Sequence, residues 1–141
     1  MAGALLDTHA LYWLAHEPSR LSGDAVLLIG RSQAGGSLFV SPISAWELAL
    51  AARKKNNAPL VGVTSLPKWF DETCSSLGAR VAVIDLSIAL AAAEVVEKTG
   101  HKDPGDCYLM ATARVLNVPL ITRDAAILAI ASRGYLKAHP C

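Results

Sequence analysis

Cysteine is scarce and badly placed for cross-linking. Cys74, Cys107 and Cys141 are odd in number, widely spaced and form no CxxC pair. That argues against a disulfide framework and a structural zinc site, and it suits a reducing cytosol. The histidines, His9, His16, His101 and His139, lack ligand spacing such as HExxH, which disfavours catalytic zinc; His9 and His101 read as packing or hydrogen-bonding groups. No long apolar run is present. The greasiest stretch, residues 81–96, is broken by Asp85, Ser87 and Glu94 and is too short to span a bilayer. The N-terminus has no basic region, and Asp7 interrupts its apolar stretch, unlike a signal peptide. The expectation is a cytoplasmic protein with no membrane partner. Neither charge dominates either: 13 Lys+Arg against 12 Asp+Glu leave +1, so any nucleic acid must be held by a local basic patch. Repeats, linkers and low-complexity segments are missing, and no Ser–His or Cys–His arrangement suggests covalent catalysis.

What is present fits one domain over residues 1–141, with 52% hydrophobic and 18% charged residues to build a core. Short apolar runs alternate with helical patterns. Ala4-Leu5-Leu6 leads into a helix over Thr8–His16, and a second helix covers residues 21–32. Residues 37–40 read as a strand, and Pro42 opens a helix that ends at Arg53-Lys54-Lys55, where positive charge suits the dipole. A loop at 56–59 precedes a helix over Leu66–Leu77 closed by Gly78. Residues 80–84 read as a buried β-branched strand, with Asp85 or Ser87 capping a helix through Lys98. Asp103-Pro104 opens a helix to about Asn117, residues 119–122 form a strand, Ala125–Ser132 a helix, and 135–141 a weak edge strand. This alternation predicts an α/β fold: a parallel sheet with helices on both faces.

Several acids stand where a neutral residue would serve. Asp7 and Asp124 should project from the carboxyl ends of strands, where open α/β sheets hold their sites; each also precedes a helix and suits an N-cap. Glu47 shares a face with Ile43, Leu50 and Ala51 on a helix that is apolar nearly all round, so its carboxylate needs a cation or hydrogen-bonding partner, or a salt bridge such as to Arg123. Asp106 heads a face with Leu109, Met110 and Ala113, and equally suits the third position of a helix capped by Asp103. As a set, these four would repel one another unless a hard cation such as Mg²⁺ or Mn²⁺ neutralised them.

The chain resembles the PIN-domain ribonucleases, and among them the VapC-like toxins of toxin–antitoxin pairs. The matching segments are Leu5-Leu6-Asp7-Thr8-His9-Ala10-Leu11-Tyr12-Trp13, Ser41-Pro42-Ile43-Ser44-Ala45-Trp46-Glu47-Leu48, His101-Lys102-Asp103-Pro104-Gly105-Asp106 and Leu120-Ile121-Thr122-Arg123-Asp124. The resemblance implies strand order 3-2-1-4-5 and a Mg²⁺- or Mn²⁺-binding catalytic quartet of Asp7, Glu47, Asp106 and Asp124, supported by Thr8, Ser44 and Thr122. It implies endoribonuclease activity leaving 3′-hydroxyl and 5′-phosphate ends, a homodimer and a VapB-like antitoxin partner. One departure stands out: where this group commonly carries an aromatic and an Arg around the third acid, this chain has Gly105 and Cys107.

Arg53, Lys54, Lys55, Lys102 and Arg123 are the candidate RNA contacts, although 53–55 also read as a solvated helix end. The apolar sets Leu11, Tyr12, Trp13, Leu14 and Leu66, Trp69, Phe70 read first as core and second as partner surfaces. Two rival classes stay open. One is a phosphate-receiving regulatory domain, with Asp85 its only candidate acceptor; the other is a binding module whose acids merely cap helices.

Overall fold

The computed structural model describes residues 3–54 and 65–141. The elements follow the order β1 (Ala4–Leu6), α1 (Thr8–His16), a 3₁₀ turn (Pro18–Arg20), α2 (Gly23–Ala34), β2 (Leu38–Val40), α3 (Pro42–Ala51) and α4 (Leu66–Leu77). They continue with β3 (Arg80–Val81), α5 (Leu86–Thr99), α6 (Pro104–Leu116), β4 (Leu120–Thr122), α7 (Ala125–Ser132) and β5 (Ala138–Pro140). The strands form a five-stranded sheet in the order β3-β2-β1-β4-β5, every pairing parallel.

The central strand shows why the sheet is covered on both sides. Alternate side chains point to opposite faces, and β1 is apolar at every position. Ala4 and Leu6 join one core with Leu11, Ile29, Leu38, Val40 and Trp69, which α1, α2 and α4 help to build. Leu5 joins the other, with Val95, Met110, Leu120 and Ile127 from α5, α6, β4 and α7. Tyr12, Leu14, Leu66 and Phe70 pack against the first core as well, so the two apolar sets serve as core.

Local signals explain the helix boundaries. Pro42 and Pro104 stand at the first helical position, where a missing N–H costs nothing. Gly78 (φ +65°) closes α4 and Asn117 (φ +54°) closes α6 in the left-handed conformation. Two expectations need correction. Residues 80–84 are not a buried strand: β3 is two exposed residues long, and Val83 is 72% exposed. It lies at the sheet edge, and after Ala82 N–H bonds Val40 O at 2.8 Å the chain leaves to reach Asp85, which caps α5. The α3 helix stops at Ala51 rather than running to Lys55, and two of its apolar side chains, Trp46 and Leu50, are exposed. Lys55 and the loop expected at 56–59 lie outside the described residues.

No helix among the described residues is long and apolar enough to cross a membrane.

Candidate functional site

The chain reverses its direction of build between β1 and β4, neighbours at the middle of the sheet. Crevices at such switch points, beyond the carboxyl ends of the strands, are where doubly wound sheets bind ligands. Asp7 directly follows β1, and Asp124 lies two residues beyond β4. Three residues join α6 to β4, so α6 begins at the edge where β4 ends, and Asp106 sits in its first turn. The fourth acid, Glu47, reaches the same edge from α3. All four carboxylates line one open cavity of about 800 Å³.

Each is held by named donors. Asp7 Oδ1 accepts the Ala10 N–H at 2.8 Å, capping α1, and Oδ2 accepts the Thr122 hydroxyl at 2.6 Å. Thr122 Oγ1 in turn accepts the Asp124 N–H at 3.0 Å. Asp124 Oδ1 caps α7 through Ala126 N and Ile127 N. Glu47 Oε1 accepts the Thr8 hydroxyl at 2.6 Å. Because that uses the single proton of Thr8, the 3.0 Å bond between Thr8 and Ser44 must run from the Ser44 hydroxyl. Asp106 Oδ2 lies 2.8 Å from His101 Nε2, and the Asp106 N–H bonds Asp103 Oδ1 at 2.9 Å. Asp103 is therefore the α6 cap and stands beside the cavity rather than in its wall. Asp7 and Asp124 thus cap helices and also line the shared cavity.

Electrostatics mark the same cluster. Burial pushes the Asp7 carboxyl up from its ordinary value, with the neighbouring Asp124 charge adding to the rise against the Thr122 and Ala10 hydrogen bonds. Burial likewise raises Glu47, helped by the charges of Asp106, Asp103 and Asp7, and Asp106, helped by Asp103 and Asp124. Partly buried acids that repel one another are costly without a counter-ion. The donors are all carboxylate oxygens, the chemistry that suits Mg²⁺ or Mn²⁺. Among the described residues no three His, Cys, Asp or Glu side chains stand as a ready-made ion cage; the acids are spread around the cavity.

Gly105 has a structural reason to be small. A Cβ there would stand 3.1 Å from Glu47 Oε2 and 3.4 Å from Asp103 Oδ1. Cys107 is buried, and its thiol donates to the His101 carbonyl at 3.3 Å, so it helps to hold the turn carrying His101.

Of the expected cations, Arg123 and Lys54 line the cavity, whereas Arg53 and Lys102 are exposed elsewhere. The wall also contains Arg20, Tyr12 and Trp13, which motif reading did not single out as site residues. Arg20 follows the break at Glu17-Pro18, so no helical periodicity ties it to Trp13. Asp85 does not line the cavity, and its carboxylate is engaged by Ile88 N–H at 3.0 Å.

Fold and cavity thus define a doubly wound α/β protein with an acid-lined crevice at its switch point. The family model for the PIN domain matches residues 4–132. Ribonuclease VapC22 of Mycobacterium tuberculosis is 31% identical over 124 residues, covering 88% of each protein. Among solved structures, DNA-bound VapBC from Salmonella typhimurium matches with a TM-score of 0.66 at 14% identity, over 99% of this chain and 98% of that one. VapBC2 from Rickettsia felis, bound to a fragment of its promoter DNA, matches with 0.67 at 12% identity, over 97% of each chain. The chain belongs to the PIN-domain family and is VapC-like within it.

Proposed function

We propose that the chain is a metal-dependent endoribonuclease and the toxin of a toxin–antitoxin pair. The observation that carries this is the convergence of Asp7, Glu47, Asp106 and Asp124, from four separate segments, on one cavity that also holds Arg123 and Lys54. The likeness to a ribonuclease and to VapBC complexes supports the same reading. Asp7, Asp106 and Asp124 would hold Mg²⁺ or Mn²⁺, with Glu47 reaching it directly or through water. A bound ion of this kind polarises a phosphoryl oxygen and lowers the pKa of a coordinated water.

The chain's own residues do the rest. Thr122 and Thr8 fix the rotamers of Asp7 and Glu47, so the oxygens are aimed before substrate arrives. His101 holds Asp106 by its second oxygen. Arg123 and Lys54 draw the phosphodiester to the rim of the acidic wall, with Arg53 and Lys102 adding charge further out. A VapB-like antitoxin would block the cavity by placing a basic side chain among the acids, and the exposed Trp46 and Leu50 of α3 offer an apolar surface where a small partner or a second copy would pack.

The test is cleavage of a mixed single-stranded RNA pool in Mn²⁺. Wild type should cut, Asp7→Asn and Asp106→Asn should not, and chelation should abolish the activity. Cleavage that survives both substitutions refutes the metal mechanism.

A further inference from the structure

The carboxylates occupy only part of the cavity wall. In the same cavity, the Arg20 guanidinium carbon lies 4.4 Å from the centroid of the Trp13 ring, and that of Arg123 lies 5.3 Å from the same ring. His9 meets Trp13 edge-on, at 6.1 Å between centroids and 62° between planes. All four residues line the cavity. They arrive from separate segments: His9 and Trp13 on α1, Arg20 on the 3₁₀ turn, Arg123 between β4 and α7.

The pairing is informative because of what Arg123 does not do. It is next in sequence to Asp124 and shares a cavity with three further acids, yet among the described residues it makes no ion pair. Its guanidinium lies over Trp13 instead. Among the described residues Arg20 pairs only with Glu17, at 3.2 Å and with both side chains about half exposed, a weak tether. Neither guanidinium is thus neutralised by a carboxylate of the cavity, and both charges stay available to a ligand.

We propose that Arg20 and Arg123, held by the Trp13 ring, form a phosphate clamp for single-stranded RNA, gripping the strand beside the bond to be cut. The clamp rests on the nuclease reading and gives its cavity a substrate-holding wall; Trp13 is a positioning residue within it. Planar guanidiniums match phosphate oxygens in paired hydrogen bonds. Cation–π contact with one ring fixes both before binding and lowers the ordering cost. A single basic side chain, as from an antitoxin, engages the acids alone and leaves Arg20 and Arg123 unmatched, whereas a phosphodiester strand with divalent cations satisfies both charge sets. A single strand can follow such a wall without the rigid width of a duplex.

Anisotropy of a labelled single-stranded RNA in EDTA reads binding with cleavage switched off. Arg20→Gln and Arg123→Gln should each weaken binding about tenfold and reduce the slope of log K against log salt by about 0.7, the contribution of one phosphate contact. Arg123→Lys should keep the slope yet lose several-fold in affinity, because an ammonium lacks the flat, ring-stacked fork. Trp13→Phe should behave likewise, since both charges remain; if it fails to fold, the exposed arginines still carry the test. Wild-type affinity and slope in both glutamine variants overturn the clamp, and so does a loss no larger than that of Lys98→Gln on α5, which lines a separate pocket. Variants that lose only antitoxin binding overturn it too. A wild-type protein that binds RNA but never cleaves it in Mn²⁺ would sink the nuclease reading, whereas cleaving variants with full RNA affinity would sink the clamp alone.

Discussion

Thr122 and Asp7 stand 115 positions apart in the chain and 2.6 Å apart in space. The hydroxyl donates to Asp7 Oδ2 while its oxygen accepts the Asp124 N–H, so one β4 side chain orients the acid of β1 and the start of α7. Thr122→Val keeps the β-branched shape and removes the bridge. Both Asp7 and Thr122 are buried, so the substitution strands polar atoms and should cost about 1–3 kcal/mol. Urea unfolding measures this, and an undiminished midpoint would show that the bridge holds nothing.

The raised carboxyls fix the sign of a pH effect in metal-free protein. Asp7, Glu47 and Asp106 hold protons in the folded state that the unfolded chain releases. Their contribution is fully present below the ordinary values of 3.8 for Asp and 4.5 for Glu, and it is lost as pH rises from there through the raised folded values. His9 acts oppositely, because burial lowers it from 6.5: its contribution is lost as pH falls below that value. In EDTA, Asp7→Asn and Glu47→Gln should each flatten the decline above about pH 4. A wild-type slope in both variants contradicts the shifts.

Cation binding should relieve the same repulsion. At a hundredfold excess over its dissociation constant, Mn²⁺ stabilises the folded state by about 2.7 kcal/mol. The melting temperature should therefore climb with Mn²⁺, and Asp124→Asn should climb less. Identical melting curves with and without saturating metal would count against a shared ion site.

Gly105 offers a steric probe. The methyl group of Gly105→Ala would stand 3.1 Å from Glu47 Oε2, so the carboxylate must shift by a few tenths of an ångström while Thr8 holds its other oxygen. RNA cleavage should fall roughly tenfold, given that an ångström of misplacement can cost a hundredfold. Thermal stability should change little, because a long side chain can give way. Full activity in this variant would mean that the position of Glu47 is not critical.

Much of this architecture is legible in the residues, for identifiable reasons. Proline at the start, glycine or asparagine at the close and acids at the caps mark α3, α4, α5 and α6 to within a few residues. The four acids stand out because each sits in an apolar context that capping explains only in part. Edge position is what shortens β3 against the strand expected at 80–84: Val81, Val83 and Ile84 have strand chemistry, but an outermost strand has one neighbour and stops after two residues. The Arg20–Trp13–Arg123 wall is invisible for another reason. Its members belong to segments with no shared period, and Trp13 reads as ordinary core, which at 8% exposure it also is.

Two of the four acids have a second occupation as helix starters, and this sets how the chain could drift. A descendant freed from any chemical duty would still be selected for a good cap at positions 7 and 124, so Asn or Ser would persist there. Glu47 caps nothing; it sits mid-helix, half-buried, where Ala or Leu would serve the fold better. On the proposed metal-site reading, position 47 is therefore the one expected to change first: an aliphatic residue there should accompany loss of cleavage with the scaffold kept, which Glu47→Leu tests.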